Sequence, residues 1–261
     1  MDYMRNTVVI SVSVHKGGAG KTSISSNLVY ALSQMGYKIL GIDTDGQKNF
    51  SRVFGKKEVE ERNFYKAFIE KEDIKDHILN TDYENIDIVV GDVALTGIER
   101  RMHSMDYREL RMGEILTNVI DEGTYDFIIV DTGPSLGMLN TSILNATDEI
   151  LIPVEPSAFG IEGLGVFMEH YKVIKEYNKN LNILGIVLNK VDRRENLSKD
   201  ALTVIEAVFG NKILKTQILV DSNIKNAQWR NIPVAAKFKN SRAVKNFNSL
   251  AEEVIEIVQN R

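Results

Sequence analysis

The chain has 261 residues, 43% of them hydrophobic and 26% charged, with a formal net charge of −4. That composition belongs to a globular protein able to bury a sizeable core, and the absence of a strong positive balance argues against the whole surface being a nucleic-acid binder. There is no cysteine, and the four histidines, His15, His77, His103 and His170, are not at metal-ligand spacing; disulfides, thiolate zinc sites, cysteine-held iron–sulfur clusters and a cysteine nucleophile are excluded.

Residues 7–14 (TVVISVSV) read as a strand. The apolar stretch is short and broken by serines, so it does not read as a signal peptide, and no apolar run approaches the ~18 residues of a membrane span. The expected compartment is the cytoplasm. A helix follows over 21–35, with Ile24, Leu28, Ala31 and Leu32 on one face, then a short buried strand over 38–42 and a polar loop over 43–49. A short helix is expected at 63–70, a strand at 86–90, an amphipathic helix at 108–120 and a β-branched strand at 126–130. Beyond these come a strand at 149–154, a helix at 160–177, a strand at 181–188, a helix at 199–209 and a closing helix at 241–259. Strands alternating with helices predict βαβ units: an α/β fold, one domain over 1–261, with a mostly parallel twisted sheet and helices on both faces. The strands are nearly all apolar, as a sheet covered on both sides requires.

Between the first strand and the first helix lies Lys16-Gly17-Gly18-Ala19-Gly20-Lys21-Thr22-Ser23. Glycines let the backbone wrap phosphate oxygens, and a helix N-terminus adds free N–H groups and the positive end of its dipole. Lys21 is placed to reach the β- and γ-phosphates, and the Thr22 hydroxyl to bind Mg²⁺. Asp43 and Asp45 stand just beyond a buried strand, at the sheet edge where open α/β folds bind ligands. Asp131 ends the run Phe127-Ile128-Ile129-Val130 and can offer a carboxylate to Mg²⁺.

The second lysine of the loop, Lys16, together with Gly20-Lys21-Thr22, resembles the deviant Walker A motif of the ParA/MinD family of P-loop ATPases. Asp43-Thr44-Asp45-Gly46-Gln47-Lys48-Asn49 is similar to that family's second motif, and Gln47 with Asn49 lies closer to ParA than to MinD. Phe127–Asp131 with Thr132-Gly133-Pro134 resembles its Walker B segment. The departures are His15, where the usual pattern has glycine, and Gly46 and Gly133, where the family has proline. The resemblance runs from Val8 to about Val258. It implies an ATP- and Mg²⁺-dependent ATPase that forms a homodimer when ATP-bound. Lys16, Lys21 and Asp45 would carry the chemistry: Lys16 acts across the dimer and Asp45 positions the attacking water. Gly17, Gly18, Ala19, Gly20, Thr22 and Ser23 would hold phosphates, Asn189 and Pro233 would lie near the base, and Thr22, Asp43 and Asp131 would serve the metal. Glu155 and Glu162 fall in further segments that resemble ParA.

The same resemblance implies nonspecific double-stranded DNA and a ParB-type centromere-binding partner, with the protein on the nucleoid. From Lys190 to Lys245 there are twelve Lys or Arg against five Asp or Glu, which suits phosphate contacts. Arg193, Arg194, Lys225, Arg230 and Arg242 are the candidate DNA contacts, with Lys237, Lys239 and Lys245 nearby. No helix-turn-helix precedes the loop, so operator reading is not expected. The closing helix has apolar positions suited to core packing and mostly acidic charges, so no membrane contact is expected. The alternative is a MinD-like or other ATPase that positions division proteins or a protein cargo; a metabolic enzyme of the same fold and a binding-only module stand behind it.

Overall fold

The computed structural model describes residues 7–55, 61–192, 194 and 196–261. In chain order the elements are β1 (Val8–Val12), α1 (Lys21–Gln34), β2 (Ile39–Asp43), α2 (Asn49–Val53), β3 (Leu79–Asn80), β4 (Ile86–Val89), α3 (Ile98–Met102), α4 (Arg111–Glu122), β5 (Phe127–Asp131), α5 (Met138–Asn145), β6 (Glu149–Val154), α6 (Ala158–Tyr177), β7 (Asn182–Val191), α7 (Asn196–Phe209), β8 (Ile213–Leu219), α8 (Ser222–Arg230), α9 (Val234–Lys237) and α10 (Arg242–Gln259).

The strands form one eight-stranded sheet in the order β3-β4-β2-β5-β1-β6-β7-β8. Every pairing is parallel except β3 with β4. The α/β, mostly parallel fold expected from the alternation is therefore present. The chain leaves β1 for strands on one side and later returns for β6 on the other, so strand order reverses about β1, and the loop after β1 opens into the crevice this creates.

Period-two alternation divides the strand residues between two layers. Ile10, Val12, Ile39, Phe127 and Ile129 face a core that holds Leu28, Leu32, Phe247 and Leu250 of α1 and α10. Val9, Leu40, Ile42, Ile128 and Val130 face Leu116 and Val119 of α4 and Ile143 of α5. Ile150, Ile152 and Val154 face Leu164 and Phe167 of α6. α10 buries Ala243, Val244, Phe247, Leu250, Ala251 and Val254, a stripe at three- and four-residue spacing behind a Ser241 cap on Val244 N–H. The closing helix thus spends its apolar face on the core, as its pattern predicts.

Several elements differ from the sequence expectation. The helix expected at 63–70 is wound more loosely, as a five-residue π-type turn at Lys66–Glu70. β7 runs on to Val191, further than expected. α2, β3, α3, α5, β8, α8 and α9 carry no sequence expectation. α5 starts at Gly137 without a side-chain cap of its own; the Glu99 carboxylate from α3 accepts from Met138 N (2.8 Å) and Leu139 N (3.3 Å) instead. α8 buries only Ala227, so it shows no apolar stripe, and it is started by Asp221 accepting from Asn223 N at 2.8 Å.

Candidate functional site

The loop from Ser13 to Gly20 connects β1 to α1 at the carboxyl edge of the sheet. Gly18 and Gly20 have φ of 74° and 94°, the left-handed region that glycine enters freely. A side chain at Gly20 would also collide with Asn189, whose Nδ2 lies 2.1 Å from where its Cβ would stand. The N-terminus of α1 carries no side-chain cap, so its first N–H groups remain open to an anion. Lys21 is buried, and its ammonium donates to the carbonyls of Lys16 (3.0 Å) and Val14 (3.3 Å) inside the loop. Burial pushes its pKa down, while the charges of Asp131 and Asp45 oppose that shift. Gly17, Gly18, Ala19 and Thr22 line the same turn, and Ser23 follows on α1, its carbonyl accepting from Asn27 Nδ2.

Asp43 and Asp131 end neighbouring parallel strands in direct register. Both are fully buried. Thr22 Oγ1 donates to one oxygen of Asp131 at 2.8 Å and Ser25 Oγ to the other at 2.8 Å. Asp43 accepts from Ser51 N (2.8 Å), Ser51 Oγ (2.6 Å) and Asp45 N (3.1 Å). Burial raises both carboxyl pKa values well above the usual range, and the charge of Asp43 raises Asp131 further. Two desolvated carboxylates beside an ammonium favour a cation between them and a phosphate. The donors here are hard oxygens: the Thr22 hydroxyl and the Asp131 carboxylate, with Asp43 behind. They fit Mg²⁺, which is held by one or two carboxylates plus substrate phosphates rather than by an all-protein cage. Among the described residues no cluster of three or more His, Cys, Asp or Glu could hold a metal unaided.

Asp45 is half-buried; its Oδ1 accepts from Gln47 N at 3.0 Å, which fixes the turn after β2. It lines a cavity of about 360 Å³ with Gln47, Glu99, Thr132, Gly133 and Asn140. The loop thus has a carboxylate with room beside it, as positioning a water requires.

Lys16 points the other way. Its ammonium lies 3.4 Å from Ser157 Oγ and 3.8 Å from Glu155, at the entry to α6. Asn189, buried at the end of β7, donates through Nδ2 to Ala19 O at 2.8 Å. The structure therefore brings Asn189 against the phosphate loop. Pro233 is buried and precedes α9; Val234 N donates to Asn27 Oδ1 at 2.8 Å, which ties this segment to α1.

Of the candidate DNA contacts, Lys225 and Arg230 are exposed on α8. Arg242 begins α10, exposed, with its guanidinium donating to Val220 O at 2.6 Å. Arg194 is exposed and engaged with Asp192. Arg193 lies outside the described residues. Sequence reasoning gave no role to four residues that the structure brings to the site. Ser25 is one turn beyond Thr22 on the same helix face, a spacing that could have revealed it. Ser51 carries no local signal, and His15, whose ring nitrogen lies 3.0 Å from Pro134 O, shows only as a departure from the loop pattern. Lys190, whose ammonium donates to Gly18 O at 2.7 Å, directly follows Asn189 and stands in the sequence only as the start of the basic segment.

A family model described as an AAA domain matches residues 7–183. The chain is 31% identical over 248 residues to the sporulation initiation inhibitor protein Soj of Bacillus subtilis, covering 94% of this chain and 97% of Soj. The septum site-determining protein MinD of Pyrococcus horikoshii, solved in complex with Mg-ADP, superposes with a TM-score of 0.78 at 27% identity, over 95% of this chain and 96% of that one. Cyanothece McdA, solved in its apo form, superposes with a TM-score of 0.85 at 20% identity, over 97% and 99%, which shows the shared fold.

Proposed function

The chain belongs to the ParA/Soj family of AAA-domain ATPases, and on that premise we propose that it is a partition ATPase whose ATP-bound dimer holds nonspecific DNA. The observation that carries this reading is the division of labour between the two lysines of one loop. Lys21 is turned inward onto the phosphate cradle, while Lys16 is turned outward to the rim at Ser157 and Glu155. A single active site needs one such lysine, and the turn of Lys16 toward Ser157 and Glu155 supports a role for the second in a neighbouring subunit.

In the proposed mechanism the Gly17–Thr22 backbone and the start of α1 bind the triphosphate, and Lys21 leaves its loop carbonyls for phosphate oxygens. Thr22 and Asp131 would hold Mg²⁺, which supplies charge neutralisation at the phosphates when bound. Asp43 keeps the Asp45 turn in place through Asp45 N. Asp45 orients water in the adjoining cavity, and the partner's Lys16 meets the charge that develops in the transition state. The gain comes from positioning and electrostatics more than from covalent chemistry. Cations on α8 and α10 meet DNA phosphates, and a ParB-type partner stimulates hydrolysis and release. The apolar face of α10 is occupied by the core, which supports DNA rather than lipid as the surface bound; among the described residues no helix is long and apolar enough to cross a membrane.

The test is binding of random-sequence duplex DNA with ATP, with ADP and over a salt series, beside Lys21→Ala and Lys16→Gln. Binding that needs ATP, weakens steeply with salt and disappears in Lys21→Ala is expected. Lys16→Gln should lower turnover about a thousand-fold, as loss of a cation supplied in trans does, with nucleotide still bound. ATP-independent DNA binding, or none beside normal nucleotide affinity, would send the reading to a protein cargo instead.

A further inference from the structure

α6 carries apolar residues on two faces. Leu164, Phe167 and Ile174 point into the core. Phe159, Val166, Val173 and Tyr177 do not: they are 74%, 45%, 55% and 78% exposed. Phe159, Val166 and Val173 follow one another at seven-residue intervals. Seven residues are nearly two whole turns, so the three lie in one line along the helix. Tyr177, one turn beyond Val173, ends that line. A helix that only packs on its own sheet needs one apolar face, and the second is left on solvent. A line that repeats every seven residues is what one helix shows to another.

A row of acids accompanies the line. Glu162, Glu169 and Glu176 stand three residues after Phe159, Val166 and Val173 respectively, the other position of a heptad seam. All three are exposed. Among the described residues Glu162 and Glu176 have no hydrogen-bond or ion-pair partner. Glu169 meets Lys172 at 2.6 Å with both side chains in solvent, a pair weak enough to exchange. Lys175 is turned away from the row, onto the carbonyls of Lys179 and Leu181. This charge selects the occupant. It repels nucleic acid and anionic lipid alike. A second copy of α6 fits no better: laid parallel it sets glutamate against glutamate, and antiparallel it sets each glutamate against an apolar side chain. A helix with apolar side chains in register and Lys or Arg between them satisfies both rows.

We propose that this face of α6 is the docking site for an amphipathic helix of a partner protein, one that alternates apolar and Lys or Arg residues at three- and four-residue spacing. From Phe159 to Tyr177 the face offers about 27 Å of helix at 1.5 Å per residue. It begins beside the Ser157 cap that Lys16 contacts. A Cβ at Gly163 would come within 2.9 Å of His15 O, so α6 packs directly on the phosphate loop and the docked helix would end beside it. Neither nucleotide nor DNA is needed for this docking.

The test is fluorescence anisotropy of labelled three-heptad peptides with the nucleotide-free full chain. One peptide carries leucine and lysine at the two seam positions, a second has glutamate in place of lysine, and a third scrambles the first. The lysine peptide should bind wild type about tenfold or more tightly than its scramble, and the glutamate peptide should not compete. In Phe159→Ser/Val166→Ser/Val173→Ser the lysine peptide should lose about tenfold or more in affinity. Glu162→Lys/Glu169→Lys/Glu176→Lys should reverse the preference, taking the glutamate peptide over the lysine one. Circular dichroism confirms that each variant is folded; should the serine variant fail to fold, the charge reversal decides alone. The proposal is overturned if the lysine peptide binds no better than its scramble, or if charge reversal leaves the preference unchanged. It is also overturned if sedimentation shows wild type self-associating through this face, with the serine variant losing that association while its peptide binding stays as in wild type.

Discussion

The two ends of the sheet's carboxyl edge use the same side chain under opposite conditions. At β2 and β5, Asp43 and Asp131 are fully buried and held by hydroxyls and N–H groups. At the end of β7, Asp192 meets the guanidinium of an exposed Arg194. Burial drives the first pair of carboxyl pKa values up, and the arginine pulls Asp192 down to about 2. The buried end stores unfavourable charge that a cation and phosphates relieve, so it is built for one fixed geometry. The exposed end holds a satisfied ion pair open to solvent, where screening leaves little charge energy to relieve.

The largest expected effect breaks the comparison at its buried end. Asp131→Asn should lower ATP turnover on the order of a thousand-fold, the cost of removing a main electrostatic group. The same substitution should raise the thermal midpoint of the nucleotide-free protein, because a carboxyl whose folded pKa is raised costs stability once it ionises. A midpoint that falls would mean that the site is not strained. Next comes the exposed face. In Lys225→Ala/Arg230→Ala, DNA affinity should fall about tenfold at moderate salt, and the slope of log affinity against log salt should lessen by about two. An unchanged slope would take α8 out of the DNA surface. The smallest effect sharpens the sign of burial itself. His77 is buried, its Nδ1 accepts from Asn63 N at 3.0 Å, and burial lowers its pKa against the nearby charges of Glu72 and Asp76. A lowered histidine contributes stability that is present above its unfolded value of about 6.5 and is lost as pH falls. The midpoint should therefore drop by a few degrees between pH 7.5 and 5.5 in Asp131→Asn, where the opposing carboxyl trend is reduced, and the drop should shrink when His77→Gln is added. Scanning calorimetry of the single and double variants checks both signs.

How legible each part was follows from where its cause lies. The phosphate loop is readable because phosphate chemistry demands glycines and a lysine at fixed spacing between a strand and a helix, and Lys16 to Thr22 meet that demand locally. Asp131 and Asn189 are readable for the same reason, as single polar residues ending apolar strands. α5 is not, because its first N–H groups are satisfied by Glu99, some forty positions back in the chain. α8 is not, because a helix that buries only Ala227 shows no period to find. The brace on Asp43 is invisible in the sequence because Ser51 is an ordinary serine until α2 brings it to the end of β2. Where one residue's chemistry fixes its position, sequence suffices; where a distant side chain completes a local need, only the fold shows it.

The ammonium of Lys21 rests on two carbonyls of its own loop, and Lys190 rests on a third. The cations that phosphate oxygens would compete for thus already have partners in the backbone of the loop itself. A bound nucleotide would exchange these bonds for its own, so calorimetry would record the difference between two sets of bonds. The heat of binding should be modest and the heat-capacity change small, and affinity should be governed by how readily two lysines let go.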